Sequence, residues 1–294
     1  MRERFTLVGI RPQPPLPPAE EGPPAWRGAL LPLMVLGAVV LGCLLLPLLL
    51  SGDPAHMDLA HCNVPPCRAF FFGTDAMGRD IFAMIWSGGR LSLSIGAGAA
   101  AVSTGLAILF GAASGCAPKW LDALLMRLAE LLLSVPSLLL VVLLQAVLGG
   151  ASPLSLSLVI GLTGWTTMAK VVRTQVRQLR DSEYILASRC MGGGFFHILR
   201  RHLAPGFVSP VMFMAVMSVR SAIAAESTLS FMGMGLPLET PTWGSMLSLA
   251  ERALLTGAWW VILIPGGFLV VTLLALTGVG NALRQAVNRK ESNL

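Results

Sequence analysis

Long uncharged apolar runs alternate with short polar loops along this chain. A hydrocarbon core about 30 Å thick needs about 20 apolar helical residues to cross it. Residues 28–51 hold no charge and make one such run, and residues 91–118 make a second. Residues 131–169 are uncharged but too long for one helix. The stretch "GGASP" at 149–153 breaks them into a hairpin of two spans, the third starting near Ala123 and the fourth ending near Val172. Residues 203–234 give a fifth run, interrupted by Arg220 and Glu226, and residues 253–283 a sixth. The pattern predicts an all-α, polytopic membrane protein with six transmembrane helices. Its expected divisions are a Pro-rich tail (1–27), a first span (28–51), an outer loop (52–90), a five-helix core (91–284) that includes a basic loop at 182–205, and a short tail (285–294).

Composition agrees with this class. Hydrophobic residues make up 54% of the chain and charged ones 12%, against roughly a quarter charged in a soluble domain. A net charge of +6 raises nucleic acid as a partner, but the basic residues sit in loops between apolar runs and form no continuous basic face, so no nucleic acid is expected. Their placement sets orientation instead. Arg2, Arg4, Arg11 and Arg27 precede the first span; Lys119 and Arg127 follow the second; Lys170, Arg173, Arg177, Arg180, Arg189, Arg200 and Arg201 follow the fourth; Arg284, Arg289 and Lys290 follow the sixth. The positive-inside rule puts those loops and both termini in the cytoplasm. Trp259 and Trp260 suit an outer aromatic belt.

Chemistry-bearing residues are few. There is no Gly-x-x-x-x-Gly-Lys-Ser/Thr phosphate loop, no H-E-x-x-H and no G-x-S-x-G, so the chain is not expected to be an enzyme or to hold a cofactor. Arg220 and Glu226 lie at a depth where charge costs several kcal/mol unless paired or wetted. Being six apart, each is expected to face a partner subunit or a pathway. In the outer loop, Cys62 and Cys67 are a candidate disulfide in an oxidising compartment. His56 and His61 lie near them, and metal binding there is the weaker reading; no metal site is assigned. Met212, Met214, Met217, Met232 and Met234 are read as interface fillers ahead of soft-metal ligands. Gly73, Thr74, Asp75, Gly78, Arg79 and Asp80 form a turned outer loop or gate before the second span, with a structural role read ahead of substrate contact. Thr74 or Asp75 is expected to cap it, with surface ion pairs worth under about 1 kcal/mol each.

The basic loop is the odd element. "SEYILASRCMGGGFFHILRRHLAP" (182–205) carries arginines and three consecutive glycines, which break one short helix from the next. A juxtamembrane helix held by anionic lipid is one reading, with lipid as its partner. A second comes from its spacing. Ala187, Ser188, Gly192 and Pro205 resemble the cytoplasmic loop signature of binding-protein-dependent ABC importer permeases, with Leu186 in place of the usual Glu. "FFGTDAMGRDIFAMIWSGGRLSLSIG" (71–96), "LAELLLSVPSLLL" (128–140, with Glu130 where Asp is commoner) and "LSFMGMGLPLETPTWGSML" (229–247, with Pro241, Trp243 and Gly244) are similar to segments of the dipeptide, oligopeptide and nickel branch. The resemblance spans about 71–284 and has its motifs in order.

That resemblance implies a type I ABC importer permease fold and an ATPase-coupling site at Ala187, Ser188, Arg189, Gly192, Gly193, Phe195 and Pro205. It implies a second homologous permease subunit, two ATP-binding subunits carrying ATP and Mg, and a periplasmic substrate-binding protein. Short peptides are the first expectation for substrate, and nickel or a metal chelate the second. A stand-alone secondary transporter is the rival from another class; it calls for an inverted repeat, and none is evident.

Overall fold

The computed structural model of the chain describes residues 25–49, 53–180, 182, 204–237 and 239–291. Among them, regular structure is helical apart from one isolated bridge between Thr74 and Asp80. The long helices are α1 (Ala25–Leu49), α2 (Ile81–Cys116), α3 (Lys119–Ser134), α4 (Ser137–Leu148), α5 (Pro153–Arg180) and α6 (Ala204–Phe231). Two short helices, α7 (Trp243–Ser248) and α8 (Ala250–Thr256), precede the last long one, α9 (Trp260–Glu291).

Helix α2 is the hub of the bundle. It packs most extensively on α5, and small residues make this possible. A Cβ on Gly111 would lie 2.6 Å from the Ala169 carbonyl oxygen, and one on Gly161 would lie 2.6 Å from Val102 Cβ. Without water between helices, close backbone approach of this kind is what holds membrane bundles together. The contacts step upward together along both helices (Gly98 on Ser157, Gly161 on Val102, Gly111 on Ala169, Gly115 on Val176), so α2 and α5 run parallel. Against α6 the order reverses, with Gly96 on Ile223 and Ser103 bonded to Ser218. Helix α9 runs antiparallel to α6 (Gly280 on Met217, Arg284 over Phe213), and α1 runs antiparallel to α9 (Pro32 on Gly278).

Two parallel helices need a return leg between them, and α3 with α4 supplies it. These helices meet at a 91° bend. Pro136, lacking an N–H and holding Val135 extended, separates them. Among the described residues five helices are long and apolar enough to cross a membrane, or six with the bent pair taken as one broken span, as the parallel course of α2 and α5 requires. Six crossings thus agree with the hydropathy pattern. The third, however, is not a plain span from Ala123: α3 is amphipathic, burying Asp122, Met126 and Ala129 on one face, and α4 alone is about 18 Å long. The second span also differs from expectation. It begins at Ile81 rather than 91, because Asp80 caps it by accepting from the Phe82 amide at 2.9 Å. The outer loop therefore ends at Asp80, and Arg90 lies exposed within the helix.

The ends of the bundle differ in chemistry. The start of α1, the ends of α2, α5 and α9, and the start of α6 share one end, where Lys119, Arg127, Arg173, Arg177, Arg180 and Arg284 cluster. The 53–80 loop, the 149–152 turn and the 232–259 segment share the other. Exposed leucines along α1 and α4, such as Leu31, Leu48, Leu139 and Leu143, present the apolar surface a bilayer requires.

Candidate functional site

Helices α7 and α8 do not cross the bundle. They fold back into its end, and a carboxylate anchors them. Glu226 is fully buried. Its Oε1 accepts from Thr242 Oγ1 at 2.7 Å and Ser230 Oγ at 2.9 Å, and its Oε2 lies 3.4 Å from Ser92 and Ser227 hydroxyls. Thr242 is also the N-cap of α7. It accepts from the Ser245 amide at 3.0 Å while its own amide donates to Ser245 Oγ at 2.8 Å, a reciprocal capping box. Trp243 follows, fully buried, with its ring N–H donating to the Ile85 carbonyl at 3.0 Å. Gly89 makes room for that ring, and Gly244 lies 2.5 Å, measured from an added Cβ, from Ser227 Cα. Glu226 thus joins α2, α6 and α7. It was expected to face a pathway or partner; within this chain four hydroxyls enclose it.

Arg220 lies one and a half turns earlier and is partly buried. Its Nε has no hydrogen-bond partner. The structure does not pair it with Glu226.

A cavity of about 380 Å³ lies among α2, α4, α5 and α6. Ser137, Thr163, Thr167, Ser218 and Ser221 line it with hydroxyls, and Met168, Met214, Met217 and Phe213 with apolar surface. Among the described residues, no charged side chain reaches it.

The basic end is tied together by Asp122, at the first turn of α3. Its carboxylate receives both Arg173 Nε and, at 2.7 Å, Arg173 NH2, together with the Arg177 guanidinium and Ser114 Oγ. Arg180 adds a bond from NH1 to the Gly115 carbonyl at 3.1 Å. One acid therefore locks the ends of α2 and α5 to α3. The residues immediately beyond are the basic loop. Ala187, Ser188, Arg189, Gly192, Gly193 and Phe195 lie outside the described residues; Pro205 falls in the first turn of α6.

At the opposite end the 53–80 loop is closed by a buried ion pair. Asp75 and Arg79 are each 1% exposed. Arg79 Nε donates to Asp75 Oδ2 at 2.8 Å, and the Met77 and Arg79 amides donate to Oδ1 at 2.8 and 2.9 Å. These are not the surface pairs anticipated from sequence, and neither Thr74 nor Asp75 caps α2. Thr74 instead staples the loop, donating to the His61 carbonyl and accepting from the Val64 amide. Gly78 has φ +73, and a Cβ there would collide with the Asp58 carbonyl oxygen at 1.8 Å. Trp260 is buried rather than belt-like: its ring N–H donates to the Thr74 carbonyl at 3.1 Å, while Trp259 is exposed. Cys62 and Cys67 are free and exposed, so the anticipated bridge is not formed. The Cys62 thiol donates to the Leu59 carbonyl instead, and backbone bonds such as Cys67 N–H to the Phe70 carbonyl shape the loop. His61 pairs with Asp58 at 2.7 Å, which draws the exposed Asp58 carboxyl below its ordinary range.

Residues 107–292 match the family described as "Binding-protein-dependent transport system inner membrane component". The chain belongs to that family. It is 34% identical to the oligopeptide transport system permease protein OppC of Bacillus subtilis over 89% of this chain and 85% of that one. It is 35% identical to the dipeptide transport system permease protein DppC of the same organism, over 83% and 76% respectively. Against the di/tripeptide transport system permease protein DppC of Pseudomonas aeruginosa the identity is 32%, over 91% and 89%. The matched family region holds the Asp122 clamp, Glu226 and most of the central cavity's lining, whereas Ala99 of that cavity, Ser92 of the anchor and the closed 53–80 loop precede it.

Within this permease fold, two features escaped the sequence reading. One is Asp122, whose signal was an acid at the start of an amphipathic helix facing arginines spaced by four on α5. The other is the hydroxyl set around Glu226, drawn from residues as far apart as Ser92 and Thr242, which no local pattern connects.

Proposed function

We propose that this permease forms half of the membrane pathway of an ATP-driven importer of short peptides. Its basic end faces the cytoplasm with both termini, and its 53–80 loop faces the periplasm. The partners are a second homologous permease, two ATP-binding subunits that carry ATP and Mg²⁺, and a periplasmic substrate-binding protein. The observation that carries this reading is the uncharged, hydroxyl-lined cavity among α2, α4, α5 and α6, whose polar groups suit the backbone of a peptide. The family match makes ABC import its setting, and that sets aside the stand-alone secondary transporter. The three relatives quoted above are named for peptides, and nothing favours nickel.

The mechanism follows from how the ends are tied. Closure of the ATPase pair pulls on the 182–205 loop. Arg173, Arg177 and Arg180 stand just before that loop and are fixed through Asp122 and Gly115 to α3 and α2, so α2, α3 and α5 move as one body. Helix α6 starts on the far side of the loop and carries α7 with it through Glu226 and Thr242. Relative rocking of these two units opens the cavity to one side and then to the other. Selection of the peptide rests largely with the binding protein.

Co-expression with the neighbouring transporter genes and affinity purification test the assembly. Wild-type chain is expected to bring down a second permease and an ATPase pair. A chain that purifies alone would contradict the proposal.

A further inference from the structure

A second cavity, of about 330 Å³, lies where the end of α4 meets the exit of α6. Gln145 enters it from α4, between walls made by Val142, Ala146, Leu229 and Met234 and the backbone of Gly235. Gln145 is only 8% exposed, and neither its Oε1 nor its Nε2 has a hydrogen-bond partner. A buried amide with donor and acceptor both unmet is a cost to the fold, and such groups are rare. An apolar residue would fill the position better if packing were the whole requirement.

Resting on the peptide-import reading, we propose that Gln145 is a backbone-reading station for the peptide in transit. A carboxamide offers one acceptor and two donors. It therefore matches the C=O and N–H of a peptide group in a two-bond pair. Among the described residues no charged side chain lines the cavity, which disfavours capture of a terminus or an ion. The walls are mostly apolar, so the pair forms in a medium of lowered polarity where it counts for more. Backbone recognition without side-chain contacts accepts any sequence, which is what a pathway behind a separate selecting protein needs.

The surroundings support a route. A neighbouring cavity of about 580 Å³ shares Ala151 and Gly235 with this one and presents Ser230, Ser245 and Ser248. Ser230 is also a donor to Glu226. Met77 of the 53–80 loop reaches the same cavity. The station's cavity thus adjoins one that touches both that loop and the Glu226 anchor.

The test is Gln145→Leu in the complete complex, reconstituted in proteoliposomes with saturating binding protein and a labelled tripeptide. Uptake per ATP hydrolysed should fall about tenfold, the loss of two neutral hydrogen bonds. The thermal unfolding midpoint of the complex should stay level or rise, because an unmet amide has gone. Unchanged uptake by Gln145→Leu, with wild type active, overturns the station while leaving peptide import intact. No tripeptide uptake by wild type overturns the peptide reading and the station with it. Loss of the second permease from purified Gln145→Leu complex would assign the amide to the interface between permeases and likewise overturn it.

Discussion

Thr242 Oγ1 donates to Glu226 Oε1 at 2.7 Å while the same hydroxyl caps helix α7. One hydroxyl thereby couples the orientation of a re-entrant helix to a carboxylate buried in a membrane span. Replacing Glu226 with Ala strands the Thr242 and Ser230 hydroxyls and should cost about 3 kcal/mol. Gln keeps an oxygen that accepts from both, so Glu226→Gln should cost about 1 kcal/mol. Thermal unfolding of the purified complex in detergent checks the order. Equal stability of all three proteins would remove the anchor from the account.

The Asp75–Arg79 pair makes a sharper demand. Both groups are buried, so removing either leaves a stranded charge, at about 3–5 kcal/mol. Asp75→Leu combined with Arg79→Met should be milder than either single change. Limited proteolysis of the 53–80 loop, read beside unfolding, measures the cycle. Additive costs would mean that the two side chains do not act as a pair.

Asp122→Ala is expected to damage coupling more than stability. Arg173 and Arg177 side chains are 25% and 35% exposed, so water can take up their charge once the acid is gone. A loss of about 1–2 kcal/mol follows. Freed from α3, the end of α5 no longer transmits movement, and peptide uptake per ATP hydrolysed should drop several-fold while ATP hydrolysis persists. Uptake and hydrolysis falling in proportion would contradict a transmitting role.

These tests bear on what the sequence made legible. Six crossings were readable because apolar runs of 20 residues have one physical explanation. The parallel pairing of α2 with α5 was not, since Gly111 and Gly161 reveal close approach only once their partners are known. The start of α2 was misplaced because Arg90 looks like the end of a loop, whereas the Asp80 cap lies ten residues earlier. In the 53–80 loop the residues Asp75 and Arg79 were picked out, but their burial depends on Trp260 and the Thr74 staple, both long-range. The 182–205 signature was legible as a motif, and its geometry lies outside the described residues.

Asp80 offers a pH prediction. Burial pushes its carboxyl above the ordinary 3.8, a rise only partly offset by the Phe82 and Ala83 amides. The folded state therefore binds this proton more readily than the unfolded chain. Its contribution to stability grows as pH falls through the raised folded value and levels off below the ordinary one. Asn caps a helix as well as Asp does and carries no charge. Asp80→Asn should match wild type near neutral pH or exceed it slightly and lose this increment in acid, whereas Asp80→Ala should cost about 1 kcal/mol near neutral pH and more in acid. Unfolding midpoints from pH 7 down to pH 4 check the sign.

The most direct measurement is ATP-dependent uptake of a labelled dipeptide into proteoliposomes holding the full complex, with wild-type chain beside Gly192→Trp. Wild type should take up peptide only with both ATP and the binding protein present. Gly192→Trp should assemble its spans normally, yet take up none, because a bulky ring blocks docking at the basic loop. Uptake by this chain alone, or uptake by Gly192→Trp equal to wild type, would contradict the account.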